Sequence, residues 1–177
     1  MPKYVAFLRA INVGGHTVKM DYLRSLFEGA GFANVETFIA SGNVIFDSKS
    51  KSTKTLERTI ESALEENLGY KVATFIRSVS ELAAVARYKP FTDCDADGNV
   101  LFISFIADTP ADESKQRLLS FVTEADDFHI YGREVYWLRR KRLAESDFPA
   151  AKFEKALGMP ATMRNANTIV KIALKYS

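Results

Sequence analysis

Apolar residues recur along this chain in two rhythms, one of strands and one of helices. From Tyr4 to Arg9 they are consecutive and β-rich; from Val18 onward, Val18, Tyr22, Leu23, Leu26 and Phe27 return at helical spacing up to Gly31. The turn-prone Asn12-Val13-Gly14-Gly15 separates the two. Val35 to Ala40 and Asn43 to Asp47 read as short strands around the break at Ser41-Gly42. Leu56, Ile60, Ala63, Leu64 and Leu68 mark a second helix that Gly69 closes, and Lys71 to Arg77 returns as a strand. The order is β-α-β-β-α-β, that of a ferredoxin-like split βαβ unit.

A second run of the same kind follows. Ser78 and Glu81 have the spacing of a capping box for a helix to about Arg87, stopped by Pro90, and this helix is the expected connector. Val100 to Ala107 is a strand, and Thr109, with Pro110 at the first helical position, opens a helix carrying Leu118, Leu119 and Val122. Phe128 to Tyr131 and Glu134 to Leu138 flank Gly132-Arg133 as a hairpin, and Ala151 to Leu157 is a short helix closed by Gly158. Thr168 to Tyr176 places Ile169, Ile172, Ala173 and Tyr176 on one helical stripe, which leaves the second copy without an evident fourth strand. The sequence thus predicts an α+β fold of two ferredoxin-like halves, antiparallel sheets with helices: residues 1–88 with the connector helix, and 89–177 with a C-terminal helix. Strands such as Val5-Ala6-Phe7-Leu8, Val44-Ile45-Phe46 and Val100-Leu101-Phe102-Ile103 are apolar without alternation, so both sheet faces should be covered.

Composition narrows the setting. With 177 residues and 47% hydrophobic content the chain has material for a full core. A formal charge of +2 is too near balance to make nucleic acid or membrane the default partner. No apolar run approaches the roughly 20 residues of a membrane span. One cysteine, Cys94, forms no internal disulfide, and no leader opens the chain at Met1-Pro2-Lys3, so the cytoplasm is the expected compartment. Two histidines and one cysteine fall short of a zinc set, and neither a metal nor a cofactor is expected.

Several clusters can carry chemistry, and each has a plainer reading beside it. The Gly14-Gly15 loop joins a strand to a helix, so its amides and the helix N-terminus can face an anion, with Arg9, His16 and Lys19 adding charge and Asn12 polar contacts; the same glycines can merely supply positive φ for a tight turn. Ser41-Gly42-Asn43 can reach a ligand or brace the first loop. Thr162, Arg164, Asn165, Asn167 and Thr168 form a polar group ahead of an apolar helix, where either asparagine can serve as cap. Asp93, Asp95, Asp97 and Gly98 open like a calcium loop, but position twelve is Ser104 and a strand follows, which excludes an EF-hand and leaves a looser calcium site or, as the plainer reading, an acidic solvated loop. Arg139 to Arg142, beside Tyr136 and Trp137, can contact phosphates and stack a base, or simply end a solvated strand. No catalytic pair is readable, and Cys94 has no histidine partner in view.

The segments Arg9, Ile11-Asn12-Val13-Gly14-Gly15, Met20, Leu23, Gly31-Phe32, Ser41-Gly42-Asn43-Val44-Ile45-Phe46, Lys89-Pro90-Phe91, Leu157-Gly158 and Thr162-Met163-Arg164-Asn165 together resemble the bacterial domain-of-unknown-function family numbered 1697. The resemblance spans nearly the whole chain and implies a duplicated ferredoxin-like fold, with no activity attached. Ala40 stands where the family pattern has Gln, and Ala166 where a Trp commonly follows Arg-Asn.

The leading functional expectation is a binding module or enzyme for a small anionic or phosphorylated ligand, held by Arg9, Asn12, Gly14, Gly15, Lys19, Ser41, Gly42, Asn43, Arg164 and Asn165. Single-stranded nucleic-acid binding is the alternative, since RNA-recognition modules share the element order but need open sheet aromatics. A non-catalytic structural or regulatory interaction protein is the third.

Overall fold

The structure is a computed structural model that describes residues 1–12, 15–144 and 148–177, with side chains except at Ala40, Ser41 and Ala150. The elements run β1 (Lys3–Leu8), α1 (Met20–Gly29), β2 (Ala33–Phe38), β3 (Ala40–Asp47), α2 (Thr53–Leu68), β4 (Thr74–Ser78) and α3 (Val79–Arg87). They continue as β5 (Asn99–Phe105), α4 (Asp112–Leu119), β6 (Asp126–Tyr131), β7 (Glu134–Arg140), α5 (Ala150–Leu157), β8 (Thr162–Asn165) and α6 (Ala166–Tyr176). The first seven form an antiparallel sheet ordered β2-β3-β1-β4, and the next seven repeat it as β6-β7-β5-β8.

The repeat is more complete than the sequence suggested. The helical stripe over Thr168 to Tyr176 is α6, but the second copy does possess a fourth strand, β8, placed just before it at Thr162–Asn165. Each copy therefore ends in a strand followed at once by a helix, β4-α3 and β8-α6, and the expectation that the second copy ends differently is corrected. Registers agree in detail: Val5 lies opposite Ile45 and Arg77, and Ile103 lies opposite Tyr136 and Arg164. Pro110 misplaced one boundary, since α4 begins at Asp112 with Ala111 as its N-cap.

By contacts the chain divides into two compact units, Met1–Ala84 with Ile172–Ser177, and Val85–Lys171. In the first unit, Leu56, Ile60 and Leu64 stand one turn apart on α2 and pack with Leu23 and Phe27 of α1 over Tyr4, Ala6, Leu8, Val44 and Phe46. Gly69 ends α2 at φ +81°, and Gly158 ends α5 at φ +73°; each amide donates to the carbonyl four residues back, a left-handed cap that suits glycine. In the second unit, Leu118, Phe153 and Leu157 pack with Phe128, Val135 and Trp137. The opposite sheet faces are buried as well, through Val5, Phe7, Ile45 and Phe75 in one sheet and Ile103, Phe105, Tyr136 and Leu138 in the other. This two-sided burial is what the unalternating strands require.

Contacts with β2 tie residues 172–177 into the first unit. The Tyr176 hydroxyl donates to Glu36 Oε1, the Phe38 and Tyr176 rings meet edge-on at 5.9 Å, and Lys175 lies 3.6 Å from Glu36. Burial, with the bond to Glu36, raises the Tyr176 pKa above its ordinary value. On β3, burial works to raise the Asp47 pKa, but the bonds from Asn34 (2.7 Å) and Lys3 (2.9 Å) outweigh it and hold the carboxyl below its ordinary value.

One buried polar atom stands out. Ser104, 1% exposed, lies opposite Val135 and Met163, and among the described residues its Oγ has no hydrogen-bond partner. The matching position of the first unit is Ala6, opposite Val44 and Ile76. Ser104→Ala is therefore expected to stabilise the chain by about 1 kcal/mol, removing an unmet hydroxyl without opening a cavity. Thermal unfolding should show a rise of roughly 2–4 °C, and a fall would mean that the hydroxyl finds a partner in solution.

Candidate functional site

The β1–α1 loop is pinned from several sides. The Arg9 amide donates to the Ala73 carbonyl at 2.9 Å, and the Tyr70 hydroxyl donates to the Ile11 carbonyl at 2.8 Å. Asn12 Oδ1 accepts the Val18 amide at 2.8 Å. The His16 ring stacks on Tyr70 with centroids 3.8 Å apart and planes 21° off parallel. Gly15 adopts φ +82°, the conformation for which glycine suits a turn. Lys19 is the N-cap of α1 in an extended conformation, and its side chain makes no capping hydrogen bond. Arg9, Asn12, His16 and Lys19 are all exposed, while Gly14 lies outside the described residues.

Asn43 is a brace rather than a surface group. It is 2% exposed, sits opposite Phe7, and donates through Nδ2 to the Phe38 carbonyl at 3.2 Å. It stands where the β2–β3 pairing shifts from Thr37 opposite Val44 to Phe38 opposite Ala40. Ile39, in the same turn, has φ +68° and is 57% exposed. A β-branched residue there stores strain of order 1–3 kcal/mol, which the surrounding ladder and the Asn43 bond hold in place. Gly42 is half-buried, and the Ser41 side chain lies outside the description.

Arg164 and Asn165 belong to the second unit, whereas Arg9 to Lys19 and Ser41 to Asn43 belong to the first. Arg164 donates through Nη1 to Thr162 Oγ1 (2.7 Å) and to the Met163 carbonyl (2.8 Å), and burial pushes its pKa down to about 10. Asn165 Oδ1 accepts the Asn167 amide at 2.9 Å at the head of α6, so of the two candidate caps Asn165 is the one that serves. The same junction occurs in the first unit. Arg77, 1% exposed, donates to the Ile76 carbonyl at 2.9 Å, and Ser78 exchanges bonds with Glu81 in the expected capping box. An Arg followed by a small polar cap is thus a repeated strand-to-helix device, legible in the sequence as Arg77-Ser78 and Arg164-Asn165. For Arg164→Lys, which keeps the charge but loses the fork, a loss of about 1–3 kcal/mol in the unliganded protein is expected on denaturant unfolding. An unchanged midpoint would remove the network role.

The acidic loop and the basic run answer each other. Arg140 grips Asp93 with two bonds, Nε to Oδ2 at 2.8 Å and Nη2 to Oδ1 at 3.2 Å, and Arg142 meets Asp97 at 2.6 Å. Arg139 meets Asp126 at 3.1 Å. Arg140 holds the Asp93 carboxyl below the usual carboxylate range. Asp93 and Asp97 therefore hold arginines, and of the run Arg139 to Arg142 only Lys141 lacks such an acidic mate among the described residues.

Beside Asn165 a polar cavity of about 270 Å³ opens in the second unit, lined by Lys89, Cys94, Asn99, Ala166 and Asn167 among others. It brings together Lys89 and Asn165, residues far apart in sequence, and Ala166 forms part of its wall. Cys94 is buried, donates to the Phe91 carbonyl at 3.2 Å, and has its thiol pKa raised by burial, so it rests as a neutral thiol.

These units define an α+β protein built by duplication of a ferredoxin-like β-α-β-β-α-β motif, each copy extended by a helix. Over its full length the fold is similar to that of a conserved bacterial protein from Streptococcus pneumoniae, at 22% identity and a TM-score of 0.73, with 99% of this chain and 98% of that chain covered. The family model described as "Protein of unknown function (DUF1697)" matches residues 1–136, and the chain belongs to that family. No curated protein matches it. No helix among the described residues is long and apolar enough to cross a membrane.

Proposed function

We propose that this protein binds a small anionic ligand, phosphorylated or carboxylate, at the β1–α1 turn of its first unit, and that it works in the cytoplasm. The observation that carries the reading is the start of α1: its N-cap residue is a lysine whose side chain makes no capping bond, and Arg9 and Lys19 are exposed around it. An uncapped helix N-terminus carries partial positive charge and amides suited to an anion, and cations beside it add to the attraction. The bonds of Asn12 to Val18 and Tyr70 to Ile11 fix these flanking residues before a ligand arrives, which lowers the entropy they lose on binding. Ser41 to Asn43 enter the reading as support for the neighbouring turn, and Arg164 with Asn165 as a separate polar junction. The cytoplasmic assignment rests on the single cysteine.

The buried sheet aromatics Tyr4, Phe7, Phe46, Phe105 and Tyr136 weigh against base stacking, as does the pairing of Arg139, Arg140 and Arg142. A thermal-shift screen of nucleotides, sugar phosphates and carboxylates tests the anion reading. A ligand at a hundred times its Kd should add about 2.7 kcal/mol of stability. Lys19→Ala should reduce that shift while leaving the unliganded Tm in place. No shift with any anion, or a shift indifferent to Lys19, would overturn the reading.

A further inference from the structure

An edge strand exposes every second amide, and a short apolar strand with open amides is a template for pairing with another chain. β4 ends its sheet, next to β1 alone, and its residues Thr74 to Arg77 are buried. Its outward amides, at alternate positions, all end on glutamates. Thr74 donates to Glu61 Oε1 at 3.0 Å, Ile76 to Glu57 Oε1 at 3.0 Å, and Ser78 to Glu81 Oε2 at 2.7 Å. Glu57 and Glu61 stand one turn apart on α2, so their carboxylates meet amides two residues apart on the strand. Glu81 comes from the first turn of α3. The second unit uses the same means, for the Ala161 amide just ahead of β8 donates to Glu154 of α5 at 3.2 Å.

We infer that Glu57, Glu61 and Glu81 guard the β4 edge against pairing with a second copy of this chain. The second copy is the fitting occupant because the edge is self-complementary. An antiparallel two-fold pairing centred on Ile76 sets Ile76 against its own equivalent and Thr74 against Ser78, so each outward amide meets an outward carbonyl. The two five-residue strands would then join two four-stranded sheets into one.

The test is the double variant Glu57→Ala/Glu61→Ala, with Glu81 kept because it also caps α3. Light-scattering mass across a dilution series should rise with concentration toward twice the wild-type value, while the helix and sheet signals of circular dichroism persist. Glu57→Gln/Glu61→Gln, which keeps an acceptor at each position, should hold the wild-type mass. A folded alanine variant with wild-type mass at every concentration would overturn the inference, and so would equal association of the glutamine variant. Should the double alanine variant not fold, Glu57→Ala alone opens the central amide and is judged by the same two outcomes.

Discussion

Asp126→Ala is expected to lower folding stability by about 3–5 kcal/mol, the cost of breaking a buried ion pair from one side. Asp126 Oδ1 accepts both the Trp137 indole N–H at 2.8 Å and Arg139 Nη1 at 3.1 Å, and all three residues are buried. The Arg139 guanidinium also lies over the indole, 5.7 Å from its centroid, so one carboxylate orients both partners. Removing it takes the anion from a buried cation and the acceptor from a buried donor at once. Asp126→Asn keeps one acceptor oxygen and should lose less, about 1–3 kcal/mol. Urea unfolding followed by tryptophan fluorescence reads the effect where it arises, since Trp137 is the only tryptophan. A loss below about 1 kcal/mol would show that the pair behaves as a hydrated surface bridge.

Phe46→Ala is the second large effect, also expected at about 3–5 kcal/mol. Phe46 is fully buried, and its ring meets Phe32 at 4.7 Å, Phe27 at 5.7 Å and Tyr4 at 5.8 Å. Truncation removes the ring on which two strands and the first helix converge, and those backbones are too constrained to close the space. Phe46→Leu retains much of the volume and should cost less than about 1.5 kcal/mol. Circular dichroism during urea unfolding gives both values. Equal losses for the two variants would place the energy in the ring contacts rather than in filled volume.

Much of this molecule can be read from residue order, and the failures have physical causes. Strands buried on both faces, helices with one apolar stripe and glycine caps at Gly69 and Gly158 all leave local marks. β8 left none, because it is only four residues at a sheet edge, three of them, Thr162, Arg164 and Asn165, are polar, and only Thr162 is buried. Its counterpart β4 was legible because Phe75 and Ile76 are apolar. Comparing Arg77-Ser78 with Arg164-Asn165 would have found the missing strand. The acidic loop and the basic run could be read only apart, since their meeting depends on β5 lying beside β7, with Asn99 opposite Arg140. At the candidate site, the glycines and cations of the β1–α1 turn were evident. The roles of Asn12 and Asn43 were not, because a carboxamide bonded to a backbone amide or carbonyl leaves no trace in composition.

Residues 172–177 complete the first unit, although all of the second lies between them and its other parts. On the ribosome the chain emerges from its N-terminus, so Glu36 and Phe38 wait through the synthesis of more than a hundred further residues before Lys175 and Tyr176 reach them. The second unit, Val85–Lys171, is by contrast one continuous stretch of chain. The half that is translated first is therefore finished last, and a nascent chain halted before Ile172 would carry a complete second unit beside a first unit still open along β2.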